Sequence, residues 1–212
     1  MTDPTTVLLV DDHAIVREGY RRLLEEEPSI RVVGEAGNAE QACASARALA
    51  PDVVVMDIAL PATSGIEATR RMLKDQPRLR ILMFSMYDDA IYASRALEAG
   101  ALGYLSKASA PEVLVQAIYA VSRGERYLSP DVAMNMTRSA TYPGRSEIEA
   151  LSPREFEVLR LLVQGETVRS ISEKLGLSEK TVANHQSVIR EKLGARNSAQ
   201  LARLVARAGW SR

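Results

Sequence analysis

Short apolar runs alternate with helical patterns through the first 124 residues, and this alternation limits the possible folds more than any other feature of the sequence. Most of the runs are continuous, which is typical of strands that helices cover on both faces of a parallel sheet. Five strand–helix repeats predict right-handed crossovers and a doubly wound α/β sheet. The predicted strands are Val7–Val10, Ile30–Val33, Val53–Met56, Ile81–Phe84 and Gly103–Leu105. The predicted helices are Ala14–Glu26, Ala39–Ala50, Gly65–Asp75, Asp89–Ala99 and Pro111–Arg123.

Beyond residue 150 no strand pattern returns, and the sequence predicts a small all-helical domain. Ser152 is the expected cap of its first helix, and Glu155 three residues later completes a capping box. Two later helices, Val168–Leu175 and Glu179–Leu193, are separated by a short Gly-Leu-Ser turn. This arrangement predicts a helix-turn-helix whose second helix is the recognition helix.

The chain therefore divides into a five-stranded α/β domain over residues 1–124, a linker over 125–147 and a helix-turn-helix domain over 148–212. The turn-prone stretch Tyr142–Ser146 is the expected flexible part of the linker. Residues 1–124 carry 13 Lys and Arg against 17 Asp and Glu, whereas residues 151–212 carry 11 against 6. This asymmetry suggests two modules with different partners, and it slightly favours nucleic acid for the basic one.

Composition excludes several classes of protein. Hydrophobic residues make up 46% and charged residues 25% of the chain, which argues against a disordered or fibrous protein. The single cysteine, Cys43, has no partner for an internal disulfide, and this fits a reducing compartment. We find no signal-peptide pattern and no apolar run near the ~18 residues of a membrane span. The sequence predicts a cytoplasmic protein without membrane contact.

Three carboxylates and two other polar groups follow the predicted strands. Asp11 and Asp12 come directly after the first strand, and Asp57 directly after the third. The carboxyl ends of parallel strands meet at one edge, so these carboxylates are expected to converge and to repel one another unless a cation is present. Mg²⁺ prefers such oxygen ligands. Ser85 and Lys107 follow the fourth and fifth strands, and they would supply a hydroxyl and an ammonium for the oxygens of a transferred phosphoryl group.

Four segments around these residues resemble the receiver domain of two-component response regulators, and the resemblance covers about residues 5–124. The segments are Val7–His13, Val54–Pro61, Met83–Ser85 and Gly103–Lys107. The resemblance implies that Asp57 is the phosphoacceptor, that Asp12 is a direct Mg²⁺ ligand and that Asp11 acts mainly through water. It also implies two further metal ligands, the Asp57 carboxylate and the backbone carbonyl of Ala59.

The same resemblance implies roles around the phosphoryl group. Ser85 would bond its oxygens, and Lys107 would pair with it. Tyr104 matches the aromatic residue whose rotamer reports activation, although plain strand packing is an alternative for this side chain. His13 lies beside the cluster, and we expect it to begin the first helix rather than to take part in the chemistry.

The helical tail resembles a LuxR-type DNA-binding domain over about residues 150–209. The resemblance lies in Leu151–Leu159, Leu177–His185 and Ile189–Gly194. Together the two modules resemble the NarL/FixJ class of regulators. The stretches Gly103–Lys107 and Gly124–Asp131 resemble its GacA/UvrY branch.

The predicted recognition helix carries polar and basic side chains that could contact DNA. A face with an amide and cations can bond bases and phosphates in the major groove, although a solvated helix face is the alternative. The expected DNA contacts are Lys180, Asn184, His185, Ser187 and Arg190. The resemblance leaves two roles open for His185, near the DNA backbone or in helix packing. Relatives often carry a basic residue where this chain has Ala183.

The favoured interpretation is a transcription regulator, not an enzyme. A sensor histidine kinase would phosphorylate Asp57 with the help of Mg²⁺, and the chain would then bind double-stranded DNA as a homodimer. One alternative is a Mg²⁺-dependent phosphohydrolase, but the sequence lacks the Asp-x-Asp arrangement of the aspartate-nucleophile phosphatases after one strand. Another is DNA binding that does not depend on phosphorylation, against which the complete set of five polar residues argues.

Overall fold

The computed structural model describes residues 3–139 and 145–207. It divides the chain into two compact units, one of Met1–Asp88 with Tyr92–Ala133 and the other of Asp89–Ile91 with Met134–Arg212. Within the turn-prone stretch that the sequence predicts as a linker, residues 142–144 lie outside the described residues.

A parallel sheet of six strands forms the centre of the first unit, in the order β2-β1-β3-β4-β5-β6. Every residue of the third, fourth and fifth strands is buried, because helices cover both faces, and this explains the continuous apolar runs of the sequence. The predicted α/β fold class is confirmed. The strands are β1 (Thr5–Val10), β2 (Ile30–Ala36), β3 (Val53–Met56), β4 (Ile81–Ser85), β5 (Gly103–Ser106) and β6 (Tyr127–Leu128).

The predicted count of five strands is wrong, because β6 adds a sixth. Its two residues pair in parallel with Gly103 and Tyr104 of β5. A strand of two residues is too short to produce a periodic signal. Helix α6 (Pro130–Ser139) follows it directly, so part of the stretch that the sequence predicts as a linker is regular structure.

The helices follow the predicted order along the chain. Several begin at side-chain caps: Asn38 accepts a hydrogen bond from the backbone of Gln41, and Ser64 accepts one from Glu67. The predicted capping box is confirmed, because Ser152 and Glu155 each bond the other's backbone N–H. Besides α6, the helices are α1 (Ala14–Glu25), α2 (Ala39–Leu49), α3 (Gly65–Asp75), α4 (Ala90–Glu98), α5 (Pro111–Ser122), α7 (Arg145–Glu149), α8 (Pro153–Val163), α9 (Val168–Leu175), α10 (Glu179–Lys192) and α11 (Ser198–Arg207).

The winding of the sheet reverses between β1 and β3, since the chain builds β2 on one side of β1 and the later strands on the other. In doubly wound sheets this reversal opens a crevice at the carboxyl ends of the two strands, where ligands bind. Asp11 and Asp57 follow these two strands, so both residues lie at the edge of the sheet where a ligand site is expected. Among the described residues, no helix is both long and apolar enough to cross a membrane.

Candidate functional site

A buried lysine joins the two carboxylates at the crevice. The Lys107 Nζ atom lies 2.5 Å from Asp11 Oδ2 and 2.7 Å from Asp57 Oδ2. The side chains of Lys107, Asp11 and Asp57 are only 6%, 7% and 5% exposed. The structure therefore brings together three residues that are up to 96 positions apart in the sequence.

Electrostatics hold this lysine in its charged form. Burial by itself would lower the pKa of Lys107, but the charge of Asp57 and the hydrogen bonds to both carboxylates outweigh it and raise the pKa above its ordinary value. Two buried carboxylates without this ammonium would repel each other in a medium of low dielectric constant. Lys107 is thus an integral part of the cluster rather than a surface charge.

The backbone on both sides of Asp57 is tightly held. Its N–H donates to the carbonyl of Val10 over 2.9 Å, and its Oδ1 accepts a hydrogen bond from the N–H of Ala59 over 3.3 Å. The N–H of Gly65 donates to Ile58 O over 2.9 Å. A Cβ atom on Gly65 would lie 1.8 Å from the carbonyl oxygen of Asp57, so only glycine permits this approach.

Asp12 and His13 lie at the mouth of the crevice. Asp12 is exposed, and its Oδ1 lies 2.7 Å from His13 Nδ1. His13 is the N-cap residue of α1, in agreement with its expected place at the start of that helix. Asp11, Asp12 and His13 form a group whose potential ligand atoms lie within 4.8 Å of one another. Asp57 lies outside this group, and its carboxylate is joined to that of Asp11 through Lys107.

The donors at this edge fit a hard divalent cation. Asp11 and Asp12 present carboxylate oxygens side by side, and Asp12 is open to solvent, as an ion that keeps several waters requires. The half-buried Ala59 lies beside Asp57, to which its N–H is bonded. The oxygen-rich donor set, with a single imidazole, suits Mg²⁺ better than a softer metal.

Ser85 and Tyr104 bond opposite ends of the same residue, Tyr87. The buried Ser85 hydroxyl accepts a hydrogen bond from the Tyr87 N–H over 3.4 Å, and the Tyr104 hydroxyl donates to the Tyr87 carbonyl over 2.5 Å. Tyr104 is completely buried, and the ring of Tyr87 stacks on Tyr92 with centroids 4.5 Å apart. Sequence reasoning missed this link, because its bonds run through the backbone of Tyr87.

Three of the five predicted DNA contacts share one exposed face of α10. Lys180, Asn184 and Ser187 are all exposed, and residues at spacings of four and three lie on the same side of a helix. Ser178 caps the start of this helix, and its hydroxyl accepts a hydrogen bond from the Thr181 N–H over 3.1 Å. The Ser187 hydroxyl donates to the backbone of its own helix, at Ala183 O over 3.1 Å, which leaves its oxygen as an acceptor.

The other two predicted contacts lie away from that face. His185 and Arg190 are half-buried. Arg190 Nε donates to the Gln186 carbonyl over 3.3 Å, and its side chain lines a mostly apolar cavity of about 370 Å³ with Leu162 and Leu201. The structure therefore does not bring His185 and Arg190 together with the three exposed residues.

Several cations of the basic tail are committed to acidic partners. Lys192 Nζ lies 2.7 Å from Glu155 Oε2, and Lys174 pairs with Glu166. In the part of this unit that the structure describes, the exposed side chains without an ion pair or hydrogen bond include three cations: Lys180, Arg196 and Arg203. Sequence reasoning missed Arg196 and Arg203, because charge counting does not tell a paired cation from an available one.

Comparison with known proteins agrees with both modules. Residues 7–119 match the response regulator receiver domain, and residues 149–205 match the bacterial regulatory proteins of the luxR family. The chain is 40% identical over 205 residues to the response regulator UvrY of Escherichia coli, with coverage of 96% of this chain and 94% of UvrY. It is 38% identical over 205 residues to the response regulator GacA of Pseudomonas aeruginosa, with 96% of each chain covered.

A solved structure supports the same relationship along nearly the whole chain. The structure of RcsB from Salmonella enterica serovar Typhimurium, bound to promoter rprA in the presence of a BeF3- phosphomimetic, has a TM-score of 0.70 and 28% identity. The match covers 95% of this chain and 98% of RcsB. The chain belongs to the family of two-component response regulators that combine a receiver domain with a LuxR-type helix-turn-helix domain.

Proposed function

We propose that this regulator is switched by Mg²⁺-dependent phosphorylation of Asp57 and that the switch controls its binding to DNA. The single observation that carries the proposal is the buried Asp11–Lys107–Asp57 cluster at the crevice between β1 and β3. A carboxylate in a shielded site with a cation beside it can attack phosphorus while its product stays protected from bulk water.

The transfer forms a bond between an Asp57 carboxylate oxygen and the phosphorus of the donor, and the bond from phosphorus to the donor atom breaks. The donor is a phosphohistidine of a sensor kinase or a small acyl phosphate. Asp11, Asp12, Asp57 and the carbonyl of Ala59 would hold Mg²⁺, which would supply positive charge against the charge that develops on the phosphoryl oxygens. After the transfer, the Lys107 ammonium would pair with a phosphoryl oxygen instead of the Asp57 carboxylate.

Tyr87 offers a route from the phosphoryl group to Tyr104. A phosphoryl oxygen would accept the proton of the Ser85 hydroxyl and draw that hydroxyl toward itself, which would weaken the bond that it accepts from the Tyr87 N–H, already long at 3.4 Å. Movement of Tyr87 would remove the acceptor of the Tyr104 hydroxyl and favour a different Tyr104 rotamer. A local change of charge would thus bias a two-state element at the edge of the sheet.

The exposed face of α10 is the proposed reading surface for DNA. Lys180, Asn184 and Ser187 would enter the major groove, whereas His185 and Arg190 would contribute to packing or to backbone contacts from the flanks. RcsB has been solved on a promoter, and its similarity to this chain supports double-stranded DNA as the ligand. We expect a homodimer on paired half-sites about one helical turn apart, acting in the cytoplasm where the promoters are.

An exposed apolar side chain beside the crevice fits the proposed kinase partner. Ile15 lies in the first turn of α1, three residues after Asp12, and it is 89% exposed. A large apolar side chain in such a position is suited to contact with another protein. A protein phosphodonor could therefore dock on α1, whereas a small acyl phosphate would not need this contact.

The central test replaces the acceptor. Asp57→Asn removes the nucleophilic carboxylate while keeping its shape. Incubation with Mg²⁺ and a small acyl phosphate should therefore add no mass of about 80 Da, the mass of one phosphoryl group, to this variant. Asp52→Asn is the matched control, because this exposed carboxylate precedes β3 and bonds only Thr6 among the described residues. Labelling of folded Asp57→Asn at the wild-type rate would refute the assignment. Steady turnover of a phosphoester by the wild type would instead favour a phosphohydrolase.

A further inference from the structure

Arg17 links the ends of β1 and β2 behind the acidic cluster. Its Nε donates a hydrogen bond to Glu35 Oε2 over 2.8 Å, and its Nη1 donates to the backbone carbonyl oxygen of Asp11 over 2.6 Å. The Arg17 side chain is only 18% exposed. A guanidinium that bonds in two directions through its rigid fork defines one geometry, which a lysine ammonium on a flexible stem does not reproduce.

The bonded carbonyl belongs to the peptide group that joins Asp11 to Asp12. Because the peptide group is planar, holding the oxygen of Asp11 also fixes the direction in which the chain reaches the Cα atom of Asp12. The other side of Asp11 is fixed as well, since its N–H donates to Ala36 O over 3.0 Å and its Oδ1 accepts from the His13 N–H over 2.8 Å. Arg17 thus restrains the peptide group that joins Asp11 to Asp12.

Asp12 needs this support more than its neighbour does. The Asp11 carboxylate is buried and bonded to Lys107, whereas Asp12 is 32% exposed and its carboxylate contacts His13 among the described side chains. An exposed side chain keeps a defined direction only if its backbone is held. The bond from Arg17 holds the peptide group that precedes Asp12, and the bond from the His13 N–H to Asp11 Oδ1 holds the one that follows it.

We infer that Arg17 is a positioning residue that sets the direction of Asp12 toward Mg²⁺ through the Asp11–Asp12 peptide. The inference rests on the proposed function, in which Asp12 is a metal ligand. It differs from a simple salt bridge between α1 and β2, because in that case the bond to Glu35 would matter and the bond to the carbonyl would not. Residues in the outer shell of metal sites typically change metal affinity by about 10–100-fold.

The test is a calorimetric titration of the full chain with Mg²⁺ alone. Arg17→Met should raise the Kd for Mg²⁺ by about tenfold or more, and Arg17→Lys by about fivefold, since a single ammonium cannot bond both oxygens in the same geometry. Glu35→Gln keeps Arg17 and its carbonyl bond, so its Kd should stay within about twofold of the wild type. Arg22→Met is the matched surface control, because Arg22 is 75% exposed and pairs with Glu18.

A second measurement separates positioning from a structural role. With a small acyl phosphate as donor, the Arg17 variants should need more Mg²⁺ for half-maximal labelling, by the same factor as the Kd, while the rate at saturating Mg²⁺ stays within about twofold of the wild type. A structural ion pair predicts that Glu35→Gln and Arg17→Met lose thermal stability together with no change in Kd.

The possible outcomes separate the two proposals. A folded Arg17→Lys or Arg17→Met variant with the wild-type Kd overturns the positioning role and leaves the proposed function standing. If Arg17→Met does not fold, Arg17→Lys decides, because it keeps a charge beside Glu35. If the wild type neither binds Mg²⁺ nor becomes labelled, the proposed function fails and the positioning role fails with it.

Discussion

Gly65 offers the sharpest test of how the fold positions Asp57, the proposed phosphoacceptor. In Gly65→Ala the new Cβ atom would lie 1.8 Å from the Asp57 carbonyl oxygen and 2.8 Å from its carbonyl carbon, whereas real Cβ contacts essentially never fall below 3.0 Å. The two backbones would have to separate by more than an ångström. No flexible side chain is involved that could yield instead, so either the first turn of α3 or the backbone of Asp57 must move.

Both movements have measurable consequences. Overpacking in a tight core typically costs about 1–3 kcal/mol, and the hydrogen bond from the Gly65 N–H to Ile58 would also be strained. Misplacement of a reacting group by about 1 Å can lower a rate by about 100-fold. We therefore expect Gly65→Ala to lose about 3 kcal/mol of unfolding free energy and to be labelled by a small acyl phosphate about 100-fold more slowly.

The assay compares initial labelling rates by intact mass at saturating Mg²⁺, together with urea unfolding. Gly19→Ala is the matched control, because Gly19 lies within α1 and a Cβ there meets nothing within 4 Å. It should keep the wild-type labelling rate and gain about 1 kcal/mol from better helix propensity. A folded Gly65→Ala protein with the stability and labelling rate of the wild type would show that Gly65 does not fix the acceptor's backbone.

Three further predictions address the DNA-binding surface and the stability of the two units. In a binding-site selection, Asn184→Ala should relax the preference at one base pair by about 1–3 kcal/mol, whereas Lys180→Ala should weaken all sequences alike and reduce the salt slope by about 0.9. Burial by itself would raise the pKa of Glu155, but the hydrogen bonds from Lys192 and Ser152 outweigh burial and lower it. The charged Glu155 therefore contributes its full stabilisation above the unfolded pKa of 4.5, and this contribution is lost as the pH falls through the lower pKa of the folded state. The stability advantage of the wild type over Glu155→Gln, about 1 kcal/mol at pH 7 in thermal unfolding, should therefore shrink below pH 4.5. Ala50 caps α2 with a left-handed φ of 44°, so Ala50→Gly should raise the unfolding free energy by about 0.5–1 kcal/mol in urea titrations, and a loss of stability would contradict the strain argument.

The elements that could be predicted from the sequence are those whose burial or capping is visible in their side chains. The bounds of β3 and α3 agree with the prediction, since β3 is buried on both faces and α3 begins at a serine cap. Strand β2 continues to Ala36, three residues past its predicted end. Gly34 and Glu35 interrupt the apolar run, yet they still pair with Leu8 and Leu9. A ladder of backbone hydrogen bonds does not depend on apolar side chains, so the pattern ended before the strand did.

The acidic cluster could be predicted from sequence because topology alone brings strand ends together. The contacts that run through backbone atoms could not. Tyr87 links Ser85 to Tyr104 through its N–H and its carbonyl, and Arg17 reaches a carbonyl oxygen. Any residue type offers these atoms, so no motif marks them.

The recognition helix shows a different limit of sequence reasoning. Polar residues recur all along α10, and helical periodicity of about 100° per residue assigns Lys180, Asn184 and Ser187 to one side. Arg190 is three residues beyond Ser187, which turns it by about 60° from Ser187 and farther from the other two, into a cavity beside Leu162. A list of polar residues therefore names more side chains than the exposed face of α10 presents, because periodicity does not show which of them are half-buried.

The charges at the crevice connect the resting site with its proposed switch. In the described part of the chain, Lys107 is the cation whose ammonium bonds this cluster's carboxylates, and three carboxylates (Asp11, Asp12 and Asp57) exceed its one charge before any phosphoryl group arrives. A phosphoryl group on Asp57 replaces one carboxylate charge by about two and increases that excess. Lys107 cannot neutralise both the acceptor and Asp11, because its ammonium is a single charge. In the proposed switch, the phosphorylated state would therefore depend on a second cation at Asp11 and Asp12, and that cation would depend on the direction of Asp12, which we propose Arg17 fixes through the Asp11–Asp12 peptide.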